Sequence, residues 1–392
     1  MTERDAPHAT WLVLLGIVLA AFNFRTPITS VSPLLEVIEA DLRLGYASTS
    51  LLTSLPTLCF GLFAFAAAPV AQRYGRDRGV LLGVALLAVG LSLRVWGRSA
   101  AVLFATAVVT GAGIAFGQTL VPSIIGEHFP DDVGSATGLY TTALVGGAGV
   151  VSGVTPVLDR WLESWPLALA VWAIPAIAAI AVWSPIAASG DAWGADPSGG
   201  RARLPWSTPR AWLVTAFFGL QSTLFYTTVT WLAPRYAALG WSTTGTGTLL
   251  AVFFGAQLLG TFALAPLSDR RDDRRPWLAL ATVLCAVGYL GVVFAPLTFP
   301  WLTTAVLGVG VGGIFALALT VPVDMTADPD AAGRLTSMMV GAGYLLASVG
   351  PFLGGVLRDH TGSNRPVFFV LLGVCALLLA ISVTLGPSHR IQ

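Results

Sequence analysis

Apolar stretches of about 20 residues recur from one end of this chain to the other, separated by short polar turns, and they leave few folds open. In a bilayer only helices and closed barrels satisfy every backbone donor and acceptor, and runs of this length read as helices. Counting them predicts twelve spans, at 11–35, 48–71, 79–97, 100–127, 133–157, 165–187, 210–234, 243–267, 276–296, 300–324, 333–357 and 364–386. Only 10% of the 392 residues are charged, against about 25% in a soluble domain. The expectation is an all-α membrane protein. A net charge of +1 argues against a nucleic-acid surface.

The longest polar break, 188–209, is rich in Gly, Asp, Ser and Arg, the composition of a linker. It divides the chain into six-helix bundles at 1–187 and 210–392. A repeat supports the division. Ala68–Arg78 reads APVAQRYGRDR and Ala265–Arg275 reads APLSDRRDDRR, 197 residues further on. The same step carries Gly111 to Gly308 and Glu127 to Asp324. Repetition at half-length in an apolar chain is the pattern of a carrier built from two related, pseudo-symmetric halves. Gly308, Gly310 and Gly313 formally match GxGxxG, but no strand precedes them. Close helix packing explains them better than a nucleotide loop.

All 21 basic residues are arginine. With the N-terminus inside, 13 fall on the cytoplasmic side and 7 on the other, Arg25 lying within the first span. The excess orients both termini to the cytoplasm. The segment from Trp11 lacks a clear cleavage site and reads as a retained span. Cys59, Cys285 and Cys375 stand singly in apolar runs without a CxxC or Cys/His cluster, so neither disulfide, metal nor other cofactor is expected. Both arginine clusters then face the cytoplasm beside Glu127 and Asp324. Arg73, Arg76, Asp269 and Arg270, with those two acids, are candidates for a cytoplasmic gate held by ion pairs. The alternative is that they only anchor the topology, since an exposed pair contributes ~0–1 kcal/mol.

Arg25 is the charge that most needs explaining. It lies 14 residues into the first span, roughly 21 Å along a helix, where insertion of an arginine costs about 2.5–3.5 kcal/mol. A watery cavity is its expected environment, with Thr29 and Ser32 extending a polar face. Asn23 lies on the other side of the helix and joins Arg25 only if Pro27 distorts it. All 20 acids lie in loops or at span ends. An unpaired guanidinium suits an anion or a planar, oxygen-rich group; the alternative is a structural arginine bonded to helix carbonyls. Arg94, near the outer end of span 3, is expected to snorkel to the interface. Gln118, Tyr140, Thr141, Gln221, Ser222, Tyr226, Gln257 and Tyr344 recur at middle depth and are candidates to line the same site, although each alone suits an interhelical hydrogen bond. Trp231 is a further candidate, or an interfacial belt residue. The four histidines lie outside the span centres. Facilitated diffusion, exchange, or coupling through a protonated substrate is therefore expected rather than proton coupling through the protein.

In position and repetition, the arginine clusters resemble the loop motif of the major facilitator superfamily, G-x-L-x-D-R-x-G-R-R/K between spans 2 and 3 with an echo between spans 8 and 9. The first copy has Gln72 in place of the acid, the second Asp272 in place of the loop glycine. The segments NFRTPITSVSPLL (Asn23–Leu35), LLTSLPTLCFGLFA (Leu51–Ala64), GQTLVPSIIGEHFP (Gly117–Pro130), ATGLYTTAL (Ala136–Leu144) and LQSTLFYTTVTWLAP (Leu220–Pro234) are similar to the cyanate and nitroimidazole transporter-like branch. The resemblance implies the major facilitator fold and alternating access in the cell membrane. It also implies movement of a small anion such as cyanate, or export of small planar compounds such as nitroimidazoles. The chain departs from the branch where members read N-L-R-P, here Asn23, Phe24, Arg25 and Thr26 with Pro27 displaced by one, and G-N, here Gly117 and Gln118. A membrane-embedded enzyme finds no serine elbow, HExxH or acid pair within a span. A sensor would want a soluble output domain, and the loops are too short for one. The expected partners are a small solute and lipid, with the monomer as the working unit.

Overall fold

The computed structural model describes residues 6–189, 204–270, 273–326 and 328–385. Most of the expected linker, 190–203, lies outside the described residues, as do Arg4, Arg201, Arg203, Arg271, Asp272 and Arg390 of the arginine counts and clusters. Twelve long helices follow one another. They are α1 Trp11–Leu42, α2 Tyr46–Tyr74, α3 Arg76–Trp96, α4 Ala100–His128, α5 Val133–Leu162, α6 Trp165–Ala188, α7 Pro209–Ala237, α8 Thr243–Ser268, α9 Arg275–Phe294, α10 Pro300–Met325, α11 Ala331–Thr361 and α12 Arg365–Ser382. The expected spans fall on these helices, except that α1 continues to Leu42 where an end at 35 was expected.

Eleven of the twelve are long and apolar enough to cross a membrane; α7 is the exception. It carries Thr215, Gln221, Ser222, Thr227, Thr228 and Thr230, and it is enclosed instead: from Gln221 to Pro234 every residue except Thr223 is buried. So polar a helix is stable in a bilayer only where other helices, not lipid, surround it. The outer faces are the reverse. Leu259, Val287 and Val323 point outward and are more than half exposed, a surface suited to hydrocarbon rather than water.

Within each half the same helix pairs meet. Contacts of α2 with α4, α3 with α4, α3 with α6 and α1 with α5 are matched by α8 with α10, α9 with α10, α9 with α12 and α7 with α11. Glycine makes the closest of these approaches possible. A Cβ at Gly111 would strike Pro56 and Cys59 on α2, and a Cβ at Gly308 would strike Phe253 and Ala256 on α8. All three pairs of positions are 197 residues apart, so the repeat extends to individual contacts. The halves meet where α2 runs along α11 and α5 along α8, two contacts that exchange under the same relation. The fold is two pseudo-symmetric six-helix bundles.

Candidate functional site

The site begins with a break in α1. Pro27 has no N–H to give the Asn23 carbonyl, and its ring crowds that carbonyl. The first helical segment ends at Phe24, and a short segment restarts at Thr26 behind Arg25 (φ −103°, ψ −12°). Beyond it the chain tightens, Val31 N–H bonding Ile28 O at 3.2 Å and Leu34 N–H bonding Val31 O at 2.9 Å. Hydroxyls serve the disturbed backbone: Thr26 Oγ1 donates to Phe22 O, Thr29 Oγ1 to Arg25 O, Ser30 Oγ to Thr26 O and Ser32 Oγ to Ile28 O. Ser/Thr side chains commonly do this at broken membrane helices. Thr29 and Ser32 therefore face their own helix and do not extend the polar face expected for Arg25.

The break delivers Arg25 into a small cavity lined by Arg25, Gln221, Ser222, Phe225, Tyr226, Gln257, Val311, Phe315 and Tyr344. Eight of these nine belong to the second half, from α7, α8, α10 and α11. The cavity is thus a wall of one half into which the other inserts a single cation. Arg25 is 4% exposed. Its guanidinium lies 4.3 Å from the centre of the Phe225 ring and 5.8 Å from that of Phe315, and its Nε and Nη1 have no hydrogen-bond partner. Among the described residues no carboxylate lines the cavity. Gln257 is fully buried with both amide atoms unpartnered, whereas Gln221 Nε2 donates to Ser222 Oγ at 2.7 Å. Two of the lining rings, Tyr226 and Tyr344, meet edge-on with centroids 5.9 Å apart, and Phe60, outside the lining, stacks on Tyr344 at 4.2 Å.

The structure thus brings together Arg25, Gln221, Ser222, Tyr226, Gln257 and Tyr344. The other candidates lie elsewhere. Asn23 is buried away from the cavity wall and donates from Nδ2 to Leu19 O at 2.7 Å, because the break falls after it and leaves it on the intact segment. Trp231 is neither on the wall nor in an interfacial belt; it is wholly buried and donates from Nε1 to Pro351 O at 3.0 Å. Gln118, Tyr140 and Thr141 are half-buried and off the wall, with Tyr140 in electrostatic range of Arg25. Phe225, Val311 and Phe315 line the cavity without having been singled out. Phe225 was legible as the residue four beyond Gln221 on one helical face. Phe315 occupies the position 197 residues after Gln118.

Arg94 reverses its expectation. It does not snorkel outward; it is 1% exposed, and donates from Nη2 to Pro27 O at 3.0 Å and from Nη1 to Ser30 Oγ at 3.3 Å. A buried acceptor freed by the break in α1 draws it inward.

At the end bearing the α2–α3 loop, Arg76 pairs with Glu127 at 2.8 Å, and Arg274 with both Asp324 and Asp269 at 2.8 Å. Each pair joins elements of one half. Arg73 lies over the ring of its neighbour Tyr74, and Arg274, which was not among the gate candidates, is the arginine that pairs with Asp324 and Asp269. At the opposite end, Arg358 on α11 and Glu36 on α1 form an ion pair at 3.2 Å between halves, which the sequence reading missed because the partners are 322 residues apart.

Twelve membrane-spanning helices in two related halves, closing on a cavity that holds one unpaired cation, define a multi-pass membrane transporter and not an enzyme. By sequence the Major Facilitator Superfamily matches residues 13–237 and 211–390, and the chain belongs to that superfamily. It is 34% identical over 376 residues to the cyanate transport protein CynX of Escherichia coli (strain K12), covering 96% of this chain and 97% of that one. It is 32% identical over 374 residues to the 2-nitroimidazole transporter of the same strain, covering 94% of each. In fold it is similar to the xylose transporter XylE from E. coli in a partially occluded inward open conformation (TM-score 0.78, 13% identity, 96% of this chain and 98% of that one).

Proposed function

We propose that this transporter moves a small anion, cyanate- or nitrate-like or a small carboxylate, by alternating access, with Arg25 as its contact in the central cavity. One observation carries the reading: a buried guanidinium with two unpartnered nitrogens in a cavity without a carboxylate. Such a charge is costly unless a ligand or water answers it. The similarity to a cyanate transport protein supports the same class. Gln257, Gln221, Ser222, Tyr226 and Tyr344 supply neutral polar contacts, and the Phe225 ring holds the guanidinium from behind. Transport runs by facilitated diffusion, exchange, or coupling through a protonated substrate, and the monomer is the working unit. The linker 188–209 joins bundles 1–187 and 210–392. Both termini face the cytoplasm in the inner membrane, so the arginine loops, with Arg73, Arg76, Asp269, Arg270, Glu127 and Asp324, form the cytoplasmic gate.

The test is counterflow in liposomes with cyanate, nitrate, acetate and 2-nitroimidazole, on wild type, Arg25→Ala and Arg25→Lys. Hydrogen bonds to a charged group contribute about 1.5–3 kcal/mol, so Arg25→Ala is expected to weaken anion binding about 10- to 150-fold. Full binding by both variants would end the anion reading. A second reading, export of small planar neutral compounds, draws on the aromatic walls Phe225, Phe315, Tyr226 and Tyr344 and on the similarity to the 2-nitroimidazole transporter. It predicts 2-nitroimidazole counterflow that survives Arg25→Ala.

A further inference from the structure

The break in α1 leaves the Pro27 carbonyl unusual. In an unbroken helix it would accept from Val31 N–H, but that donor turns to Ile28 O instead. The replacement comes from another helix. Arg94 on α3 reaches Pro27 O with Nη2 and Ser30 Oγ with Nη1, so one planar fork spans the disturbed turn. Two residues before that turn stands Arg25; after it, the turn Ser32–Leu34 touches α7 and α8 of the other half. The segment that Arg94 grips therefore connects the cavity cation to the interface between halves.

The second half makes the equivalent contact with a weaker group. The Tyr289 hydroxyl on α9 donates to Leu224 O at 3.4 Å and shares a hydrogen bond with Thr228 Oγ1 at 2.7 Å, and Leu224 is the residue 197 beyond Pro27. There α7 is continuous through Pro209–Ala237, and a neutral hydroxyl suffices. In the first half, where the helix is broken, the third helix of the bundle contributes a fully buried cation with no ion pair among the described residues. A second buried arginine is a large cost for a contact that a tyrosine can make. What the guanidinium adds is geometry: two donors fixed in one plane hold two acceptors of one turn at once.

We propose that Arg94 is a positioning residue, which fixes the turn 27–30 of α1 and so fixes the direction in which Arg25 enters the cavity. The proposal rests on the reading of Arg25 as the anion contact. It is tested on the full-length protein in detergent with two measurements, hydrogen–deuterium exchange over 26–34 and binding of cyanate and nitrate. The variants are Arg94→Met, Arg94→Lys, Arg25→Ala and Arg25→Ala with Arg94→Met.

Arg94→Met is expected to speed exchange over 26–34 at least about 10-fold and to weaken anion binding by about the same factor, the size of one lost charge-assisted hydrogen bond. Arg94→Lys, which keeps a single donor, recovers part of both. Arg25→Ala weakens anion binding about 10- to 150-fold but leaves the exchange of 26–34 as in wild type. The double variant binds no more weakly than Arg25→Ala, since Arg94 acts only through Arg25. If Arg94→Met fails to fold, Arg94→Lys alone decides, with intermediate exchange and intermediate binding expected. Wild-type exchange over 26–34 in either Arg94 variant overturns the proposal, as does wild-type binding in a variant whose exchange has risen. Unchanged binding in Arg25→Ala overturns instead the anion reading on which it rests, so the two failures are told apart.

Discussion

The Arg358 guanidinium on α11 lies 3.2 Å from the Glu36 carboxylate on α1, tying the second half to the first at the end opposite the arginine loops. The pair is sheltered, with 10% and 29% of the two side chains exposed. Tyr46 completes it: its hydroxyl donates to Glu36 Oε2 and accepts from Arg358 Nη2, both at 3.0 Å, while its ring lies under the same guanidinium. The next residue, Asp359, accepts from the amides of Tyr46 and Ala47 at 2.8 and 2.9 Å. A carboxylate from one half thus caps the first turn of α2 in the other, where helix N–H groups lack internal partners.

This cluster is expected to hold that end shut. Glu36→Gln combined with Asp359→Asn removes both cross-half carboxylates while keeping side-chain size. In a background with Cys59, Cys285 and Cys375 replaced by alanine, a cysteine introduced at buried Ser50 is then expected to react with a membrane-impermeant maleimide at least ~10-fold faster, since each charge-assisted bond lost contributes about 1.5–3 kcal/mol. An unchanged rate would mean that packing of α2 on α11 alone closes this end.

The ion pairs at the other end differ in kind. Arg76 and Glu127 are 53% and 42% exposed, so neutralising Glu127 is expected to cost about 0–1 kcal/mol of stability. Its effect belongs in the transport cycle. Glu127→Gln with Asp324→Asn is expected to leave thermal stability within a few degrees of wild type while altering the counterflow rate and the labelling of a cysteine placed in the α2–α3 loop. Unchanged rate and unchanged labelling would sink the gate role.

Phe225 offers a finer test of the cavity. Its ring, 4.3 Å from the Arg25 guanidinium, is the immediate support of that cation. A desolvated cation–π contact contributes roughly 0.5–2 kcal/mol, so Phe225→Leu is expected to weaken anion binding about 2- to 30-fold, less than Arg25→Ala does. Isothermal titration with cyanate reads the ratio. A loss as large as that of Arg25→Ala would mean the ring does more than support the charge.

What the sequence made legible was whatever repeats or is locally periodic. Twelve apolar runs and a step of 197 residues led to the helices, to the related halves and to the matched contacts of Gly111 and Gly308. Arg25 announced itself because a charge in an apolar run has few uses. The failures share one cause, that pairing across helices has no local signature. Nothing near Arg94 reveals that Pro27, 67 residues earlier, would present a free carbonyl, and nothing near Glu36 points to Arg358. Asn23 was expected beside Arg25 only if Pro27 distorted the helix between them, and the break falls after Asn23; Trp231 was placed by depth alone, and depth does not say which way a side chain points.

The matched glycines make the repeat a question of energetics. A Cβ at Gly111 lands 2.7 Å from both Pro56 and Cys59 of α2, with backbone on one side that cannot rotate away. At Gly308 the added carbon meets backbone and side chain of α8 in the same places. Overpacking of this sort costs about 1–3 kcal/mol. Gly111→Ala and Gly308→Ala are each expected to lower the unfolding temperature, by similar amounts, whereas alanine at Gly255, where a Cβ meets nothing within 4 Å, should not. A large drop at one of the pair and none at the other would show that the halves share a contact but not its energetics.

Gln257 separates stability from function. It is wholly buried and neither amide atom has a partner, a state that costs about 1–3 kcal/mol per unsatisfied group unless a ligand or water supplies the bonds. Methionine has nearly the same length and shape and no such need. If Gln257 is kept for the substrate, Gln257→Met should raise the unfolding temperature of the unliganded protein and reduce the further rise produced by cyanate. Scanning fluorimetry with and without cyanate measures both in one experiment. A fall in the unliganded midpoint would instead assign Gln257 a structural role in joining α8 to the wall of the cavity, and would leave Arg25 with Gln221, Ser222, Tyr226 and Tyr344 as the polar contacts.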